Sequence, residues 1–191
     1  MSISFNAPAV TSDAVRGAQA ASIFLSAAAA GGSLGLSTFL VPRLLESPTA
    51  VMLRQWGRAF HAGKIVFPGA AATAAAAFGF VYYRTANAAT PSSIEVSAST
   101  LPLVAAGLCL SIVPYTLLIL RPTNKELVAK AAQAEEDAQL SKADRAAGAG
   151  TVYTAQEEAS AKQLVDRWGT LSLGRPLLLA AAAIVGLVAY L

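Results

Sequence analysis

Charge is scarce in this chain, and histidine and cysteine are nearly absent. Of 191 residues, 13% are charged, one is histidine and one is cysteine. A single cysteine, Cys109, has no partner in the chain, which excludes a disulfide framework and a cysteine-held metal. It is expected to pack as a small hydrophobe. One histidine, His61, together with that cysteine falls short of a His-rich copper, iron or zinc set, and bis-histidine haem is excluded within one chain. No metal or other cofactor is therefore expected. No glycine-rich GxGxxG turn or phosphate loop is present, so nucleotide and flavin binding have no motif. The net charge of +3 is not arranged as a basic stripe interleaved with aromatics, and nucleic acid is not an expected partner.

What is abundant is apolar. Hydrophobic residues make up 55% of the chain, and mean hydropathy is +0.53. About 20 mostly apolar residues cross a bilayer, and four segments meet that length: 18–41, 65–83, 101–120 and 171–191. The expected fold is all-α: one membrane domain over 18–191, a four-helix bundle embedded in lipid, after an N-terminal tail of residues 1–17. No Asp, Glu or Lys lies inside any span, which removes the usual mark of proton relays and ion pathways. Arg175, in the first turn of the last span, is expected to snorkel to the headgroups. The alanine-rich first segment shares small residues with signal peptides, but its apolar run exceeds their usual ~7 to 15 residues. Gly31 and Gly35 are spaced as GxxxG, which predicts close packing, within the molecule rather than between copies.

Four spans leave two large loops, 42–64 and 121–170, on one side. They carry Arg43, Arg54, Arg58 and Lys64, then Arg121, Lys125, Lys130, Lys142, Arg145, Lys162 and Arg167, against Arg16 and Arg84 opposite. The positive-inside rule places both loops of this multi-pass protein in the cytosol. Amphipathic helices are expected in both. Ser47 with Pro48 reads as an N-cap and first helical position. Beyond it Met52, Trp56, Phe60 and Phe67 share one face, with Arg54, Arg58 and His61 opposite. Thr123 with Glu126 and Thr154 with Glu157 read as capping boxes of two helices hinged at "GAG", 148–150.

The chain also repeats itself weakly. "RQWGRAFHAGK" from Arg54 aligns with "DRWGTLSLGR" from Asp166, matching Trp56 to Trp168, Gly57 to Gly169, His61 to Ser172 and Lys64 to Arg175. Two similar helical hairpins follow, with His61 and Ser172 facing one another at a common cytosolic mouth. Around that mouth a polar collar is expected: Arg54, Arg58, His61, Lys64, Arg121, Asn124, Ser172 and Arg175, with Trp56 and Trp168. Its plainest role is lipid contact, cations on phosphate and tryptophans as interface anchors. Its chemical role begins at His61, where guanidinium neighbours favour the neutral imidazole that a base requires. Such a base can take a proton from a carbon acid while the cations hold the enolate.

"VPYTLLILRPTNKELV", Val113 to Val128, carries Pro114-Tyr115-Thr116 and Pro122-Thr123-Asn124. These resemble the P-[FY]-T and P-T-N-x-x-L pattern of the DUF1772 family, whose characterised fungal members include anthrone oxygenases. "WGTLSLGR" resembles that family's second signature, with Ser172 where the familiar form has Asn. The resemblance implies oxidation of an anthrone-type polyketide to an anthraquinone with molecular oxygen, in fungal secondary metabolism and without an obvious cofactor. It implies a hydrophobic aromatic substrate and O2 as partners in a protein of the endoplasmic reticulum; the lipid bilayer is the partner of the spans, and the symmetry of a homo-oligomer could bring two copies of His61 together on a shared metal. The expected catalytic set is His61 as base with Arg54, Arg58 and Lys64 around it. Arg121 and Arg175 are further anion stabilisers, Tyr115, Asn124 and Ser172 contact the substrate, and Trp56 and Trp168 stack on it. A non-catalytic tetraspan scaffold for biosynthetic enzymes and a passive carrier of hydrophobic metabolites are the alternatives.

Overall fold

The computed structural model describes residues 13–87, 93–144 and 153–191, and the side chains of 93–99 and 140–144 are left aside. The expected "GAG" hinge at 148–150 lies outside the described residues. In chain order the elements are α1 (Asp13–Gly35), π1 (Leu36–Leu40), α2 (Val41–Leu45), α3 (Thr49–Ala86) and α4 (Ser93–Leu110). Then come α5 (Ile112–Tyr115), π2 (Thr116–Leu120), α6 (Arg121–Asp144), α7 (Ala155–Ser172) and α8 (Gly174–Tyr190). Among the described residues there is no strand, and four long helical runs are apolar enough to span a membrane: Asp13–Leu45, Thr49–Ala86, Thr100–Gln139 and Ala155–Tyr190. The protein is an all-α, multi-pass membrane bundle.

At 1.5 Å per residue these runs of 33 to 40 residues are about 50 to 60 Å long, while the hydrocarbon core is ~30 Å thick. Each helix therefore continues well past its apolar stretch. Two cores result. In the first, α1, α3, α4 and α8 pack around a square, each against its two neighbours. Its buried residues are mostly small: Ala29, Ala30, Ala71, Ala74, Ala75, Ala105, Ala106 and Ala182, with Phe78, Cys109 and Leu179. Lipid offers no hydrophobic drive between helices, so close backbone approach through small residues supplies the contact. Cys109 is buried there as expected. The second core, between α2, α3, α6 and α7, is built of Leu44, Met52, Leu53, Trp56, Leu120, Leu127, Val165 and Trp168. Large side chains of this kind are what water, rather than lipid, drives together.

Local structure corrects several expectations. Ser47 is not the cap of α3. Pro48 occupies that position in an extended conformation, φ −56° and ψ 143°, and the Ser47 hydroxyl turns back to donate to the Arg43 carbonyl at 3.4 Å. Thr123 is not a cap either, because the helix enters α6 directly from π2 and Thr123 is buried inside it. Thr154 does form its capping box: its hydroxyl accepts from Glu157 N at 3.3 Å, and its own N–H donates to Glu157 Oε2 at 2.8 Å. Gly31 and Gly35 make no close approach, since a Cβ on either would meet open space. The tight glycines are others. A Cβ on Gly174 would fall within the Tyr115 ring, one on Gly186 would strike Phe78, and one on Gly169 would lie 2.9 Å from Val41 Cγ1.

The two π turns share a cause. A proline has no N–H and presses its ring on the carbonyl four residues back. Pro42 follows π1 by two residues and Pro122 follows π2 by two. Widening the turn, as in the bond from Val41 N to the Leu36 carbonyl, relieves that crowding. Each π turn adds a residue and so rotates everything downstream by about 100° relative to a straight α-helix.

Candidate active site

Two clefts open where the cores meet, separated by a wall. Trp56 stacks on Phe60 with ring centroids 4.9 Å apart and planes 11° from parallel, and Trp168 meets the Trp56 ring edge-on at 5.5 Å. Trp56 and Trp168 are 1% and 3% exposed, so neither anchors the interface as expected: both belong to the second core. Gly57 and Gly169, each next to one of these tryptophans, admit Ala131 and Val41 respectively, which brings α6 onto α3 and α2 onto α7.

The first cleft, of about 210 Å³, is lined by Leu36, Ala59, Phe60, Gly63, Lys64, Phe67, Pro68, Ile112, Val113, Thr116, Leu117, Asn124 and Arg175. Val113 and Leu117 are 47% and 55% exposed, so its apolar side opens toward lipid. Both π turns contribute, through Leu36 and through Thr116 and Leu117. Three nitrogen-bearing side chains meet this apolar slot: Lys64 from α3, Asn124 from α6 and Arg175 from α8. Among the described residues no carboxylate lines it. Proline–tyrosine–threonine and proline–threonine–asparagine motifs thus frame π2, and the turn between them sets which face of α6 carries Asn124.

Arg175 does not snorkel to headgroups. It is half-buried and turned inward, its Nη2 donating to Ser172 Oγ at 2.9 Å and its guanidinium carbon 5.8 Å from the Trp168 ring centroid. Its Nε is buried with no partner, and among the described residues no carboxylate pairs with it. The cause is local: Ser172 is fully buried at the end of α7, one turn before Arg175, and offers the acceptor. Trp168 Nε1 donates to Asn124 Oδ1 at 2.9 Å. Tyr115 does not line the cleft; its hydroxyl donates to the Leu171 carbonyl at 2.7 Å, fastening π2 to the α7–α8 junction.

The second cleft, of about 320 Å³, lies between α3 and α6 and is lined by Arg54, Trp56, Gly57, Arg58, His61, Val128, Ala131, Ala132 and Glu135. His61 is exposed, and its Nδ1 lies 3.0 Å from the Gly57 carbonyl. A carbonyl only accepts, so Nδ1 is the donor, and in the neutral imidazole the lone pair then falls on Nε2. Arg58 Nη2 is 3.8 Å from Glu135 Oε1, an exposed pair of little energetic weight. Among the described residues Arg54 Nε and Trp56 Nε1 are buried without hydrogen-bond partners.

The collar is therefore divided. His61, Arg54, Arg58 and Trp56 share the second cleft; Lys64, Asn124 and Arg175 share the first; Arg121 is exposed and lines neither. His61 and Ser172 do not face one another, because Ser172 is buried under Arg175 while His61 sits across the Trp56–Phe60 wall. Sequence reasoning missed Thr116, Phe67 and Pro68 as lining residues. Among the described residues no group of three or more His, Cys, Asp or Glu is placed to hold a metal.

Fold and cleft together define a multi-pass membrane protein with an apolar, donor-tipped pocket beside its spans. A family model described as anthrone oxygenase matches residues 56–185, and the chain belongs to that family. An anthrone oxygenase of Claviceps purpurea (strain 20.1) is 32% identical over 171 residues, covering 88% of this chain and 83% of the relative. Anthrone oxygenase encC of Aspergillus fumigatus is 31% identical over 157 residues, 79% of this chain and 80% of the relative. Anthrone oxygenase dmxR16 of a Cryptosporiopsis species is 30% identical over 112 residues, 57% of this chain and 59% of the relative. No solved structure matches.

Proposed function

We propose that this protein oxidises an anthrone-type polyketide to an anthraquinone with O2, in the first cleft, as a step of fungal secondary metabolism at the endoplasmic reticulum with its large loops cytosolic. The observation that carries this reading is the meeting of Lys64, Asn124 and Arg175 on an apolar slot with no carboxylate. A flat aromatic ketone enters from lipid between Val113 and Leu117 and turns its oxygen to the three donors. Hydrogen bonds to the charged form favour ionisation, so the central CH2 gives up a proton to solvent and the electron pair delocalises onto that oxygen. The anion is itself the reductant: it passes an electron to O2, the radical pair joins as a carbon–oxygen bond, and loss of water from the hydroperoxide leaves the new carbonyl. One oxygen atom ends in the quinone and one in water, and no other reductant is consumed. The reading is cofactor-independent because the substrate supplies the electrons.

A second reading rests on the second cleft. The Nε2 lone pair of His61, with Arg54 and Arg58 nearby and the Trp56 and Arg54 donors unpartnered, makes a base beside cations. Here the substrate lies against Trp56 and His61 takes the proton. Purified protein given an anthrone and labelled O2 tests both: the enzyme gives quinone faster than the spontaneous reaction. Arg175→Leu then lowers turnover by about 10²-fold or more in the first reading, with His61→Gln within a few-fold of wild type. The second reading inverts this pattern, since Gln cannot accept the proton. No acceleration with several anthrones favours the tetraspan scaffold, and stoichiometric copper or iron in active protein defeats the cofactor-free mechanism.

A further inference from the structure

We propose that Trp168 is a positioning residue which holds Asn124 and Arg175 as donors beside Lys64 in the first cleft, making it selective for an anionic aryl oxygen such as an anthrone enolate. This rests on the first-cleft reading above. An indole N–H donates and never accepts, so the Asn124 atom 2.9 Å from Trp168 Nε1 must be the amide oxygen. The Asn124 amide is thereby locked with its NH2 free, since among the described residues Nδ2 has no partner, and Asn124 lines the cleft. A free asparagine presents its oxygen or its nitrogen about equally well; this one is confined to the nitrogen. The same Trp168 ring lies under the Arg175 guanidinium at 5.8 Å. With Ser172 taking Nη2, the arginine is held while its Nε stays unpartnered. One buried side chain thus orients both groups, at 3% exposure and without lining the cleft itself.

The test is a double-mutant cycle on Trp168→Phe, which removes the N–H but retains a ring, and Asn124→Leu, which removes the amide at similar volume. Two measurements are taken on each protein, with folding checked by helical circular dichroism. The first is turnover of 1,8-dihydroxyanthrone in air, and the second is its affinity under argon together with the enolate absorbance of the bound ligand. Trp168→Phe is expected to lower kcat/KM and the bound enolate fraction by roughly tenfold, as for loss of one hydrogen bond to a charged group. In the Asn124→Leu background the same change should do nothing further. A purely structural tryptophan gives multiplied effects in the double mutant and an unchanged enolate fraction, and either result overturns the inference. If wild type binds the anthrone and the cycle couples but oxidation is not accelerated, the oxygenase reading fails and the positioning role stands. If wild type turns the anthrone over while the cycle is additive, the reverse holds. Wild type that neither binds nor oxidises the anthrone defeats both.

Discussion

Gly174 opens α8, and among the described glycines it leaves the least room for an added methyl. The new methyl carbon would land within the Tyr115 ring. That ring cannot swing aside freely, because its hydroxyl donates to the Leu171 carbonyl at 2.7 Å and its body packs against the second core. Overpacking of this kind costs about 1–3 kcal/mol, and losing the phenol's hydrogen bond adds about 1 kcal/mol. The sum, about 2–4 kcal/mol, is a large share of a total stability that is ~5–15 kcal/mol for folded domains. Reversible denaturation in detergent, followed by helical circular dichroism, should show the midpoint falling with an unchanged slope. Tyr115→Ala in the Gly174→Ala background should restore part of the loss, because the obstacle is the ring. Tyr115→Phe should not, because it leaves the ring in place. A Gly174→Ala protein within about 0.5 kcal/mol of wild type, the scatter of surface substitutions, refutes the reasoning, as does equal rescue by alanine and phenylalanine.

Gly186→Ala should destabilise the span bundle by a comparable amount, since its methyl meets the buried Phe78 ring, whereas Gly31→Ala should be neutral or gain up to about 1 kcal/mol from helix propensity; the same denaturation assay reads both. For orientation, a protease site inserted between Asp144 and Tyr153 should be cut from outside sealed microsomes while a tag after Leu191 is protected, and a cut tag with an intact insert reverses the proposed topology.

Lipid imposes so simple a demand that the four spans were readable directly: each must supply about 20 apolar residues and satisfy its own backbone. Thr154 was readable for the same kind of reason, because a capping box is closed within four residues and needs no distant partner. Depth along a helix was therefore legible, and it placed Lys64, Asn124 and Arg175 at one level. Rotation about the helix was not. Arg175 was expected to reach out to headgroups, and the sequence offers no sign that Ser172 and Trp168, three and seven residues earlier, draw it inward. Gly31 and Gly35 have the right spacing for a close contact but lie on a face that meets nothing.

On α6 the π turn before it hid rotation as well. Pro42 and Pro122 were visible, and Pro122 was even part of a recognised motif, yet a proline inside an apolar run reads equally well as a kink, a helix end or an entry to a new helix. Only the packed structure shows that each is absorbed by a π turn two residues before it. An α-helical extrapolation past Thr116 misplaces every later side chain by about 100°, enough to exchange the face that carries Asn124 for one that does not. The collar seemed to be one ring of cations because its members share a depth, and only the packing of α3 against α6 and α8 sets which side of the Trp56–Phe60 wall each faces; that wall separates His61 from Arg175. The π turn in the first span and that in the third each deliver a leucine, Leu36 and Leu117, to the same cleft. Two proline-bent spans meeting at one slot would give a membrane protein with few polar residues a way to gather three of them at the end of an apolar cleft.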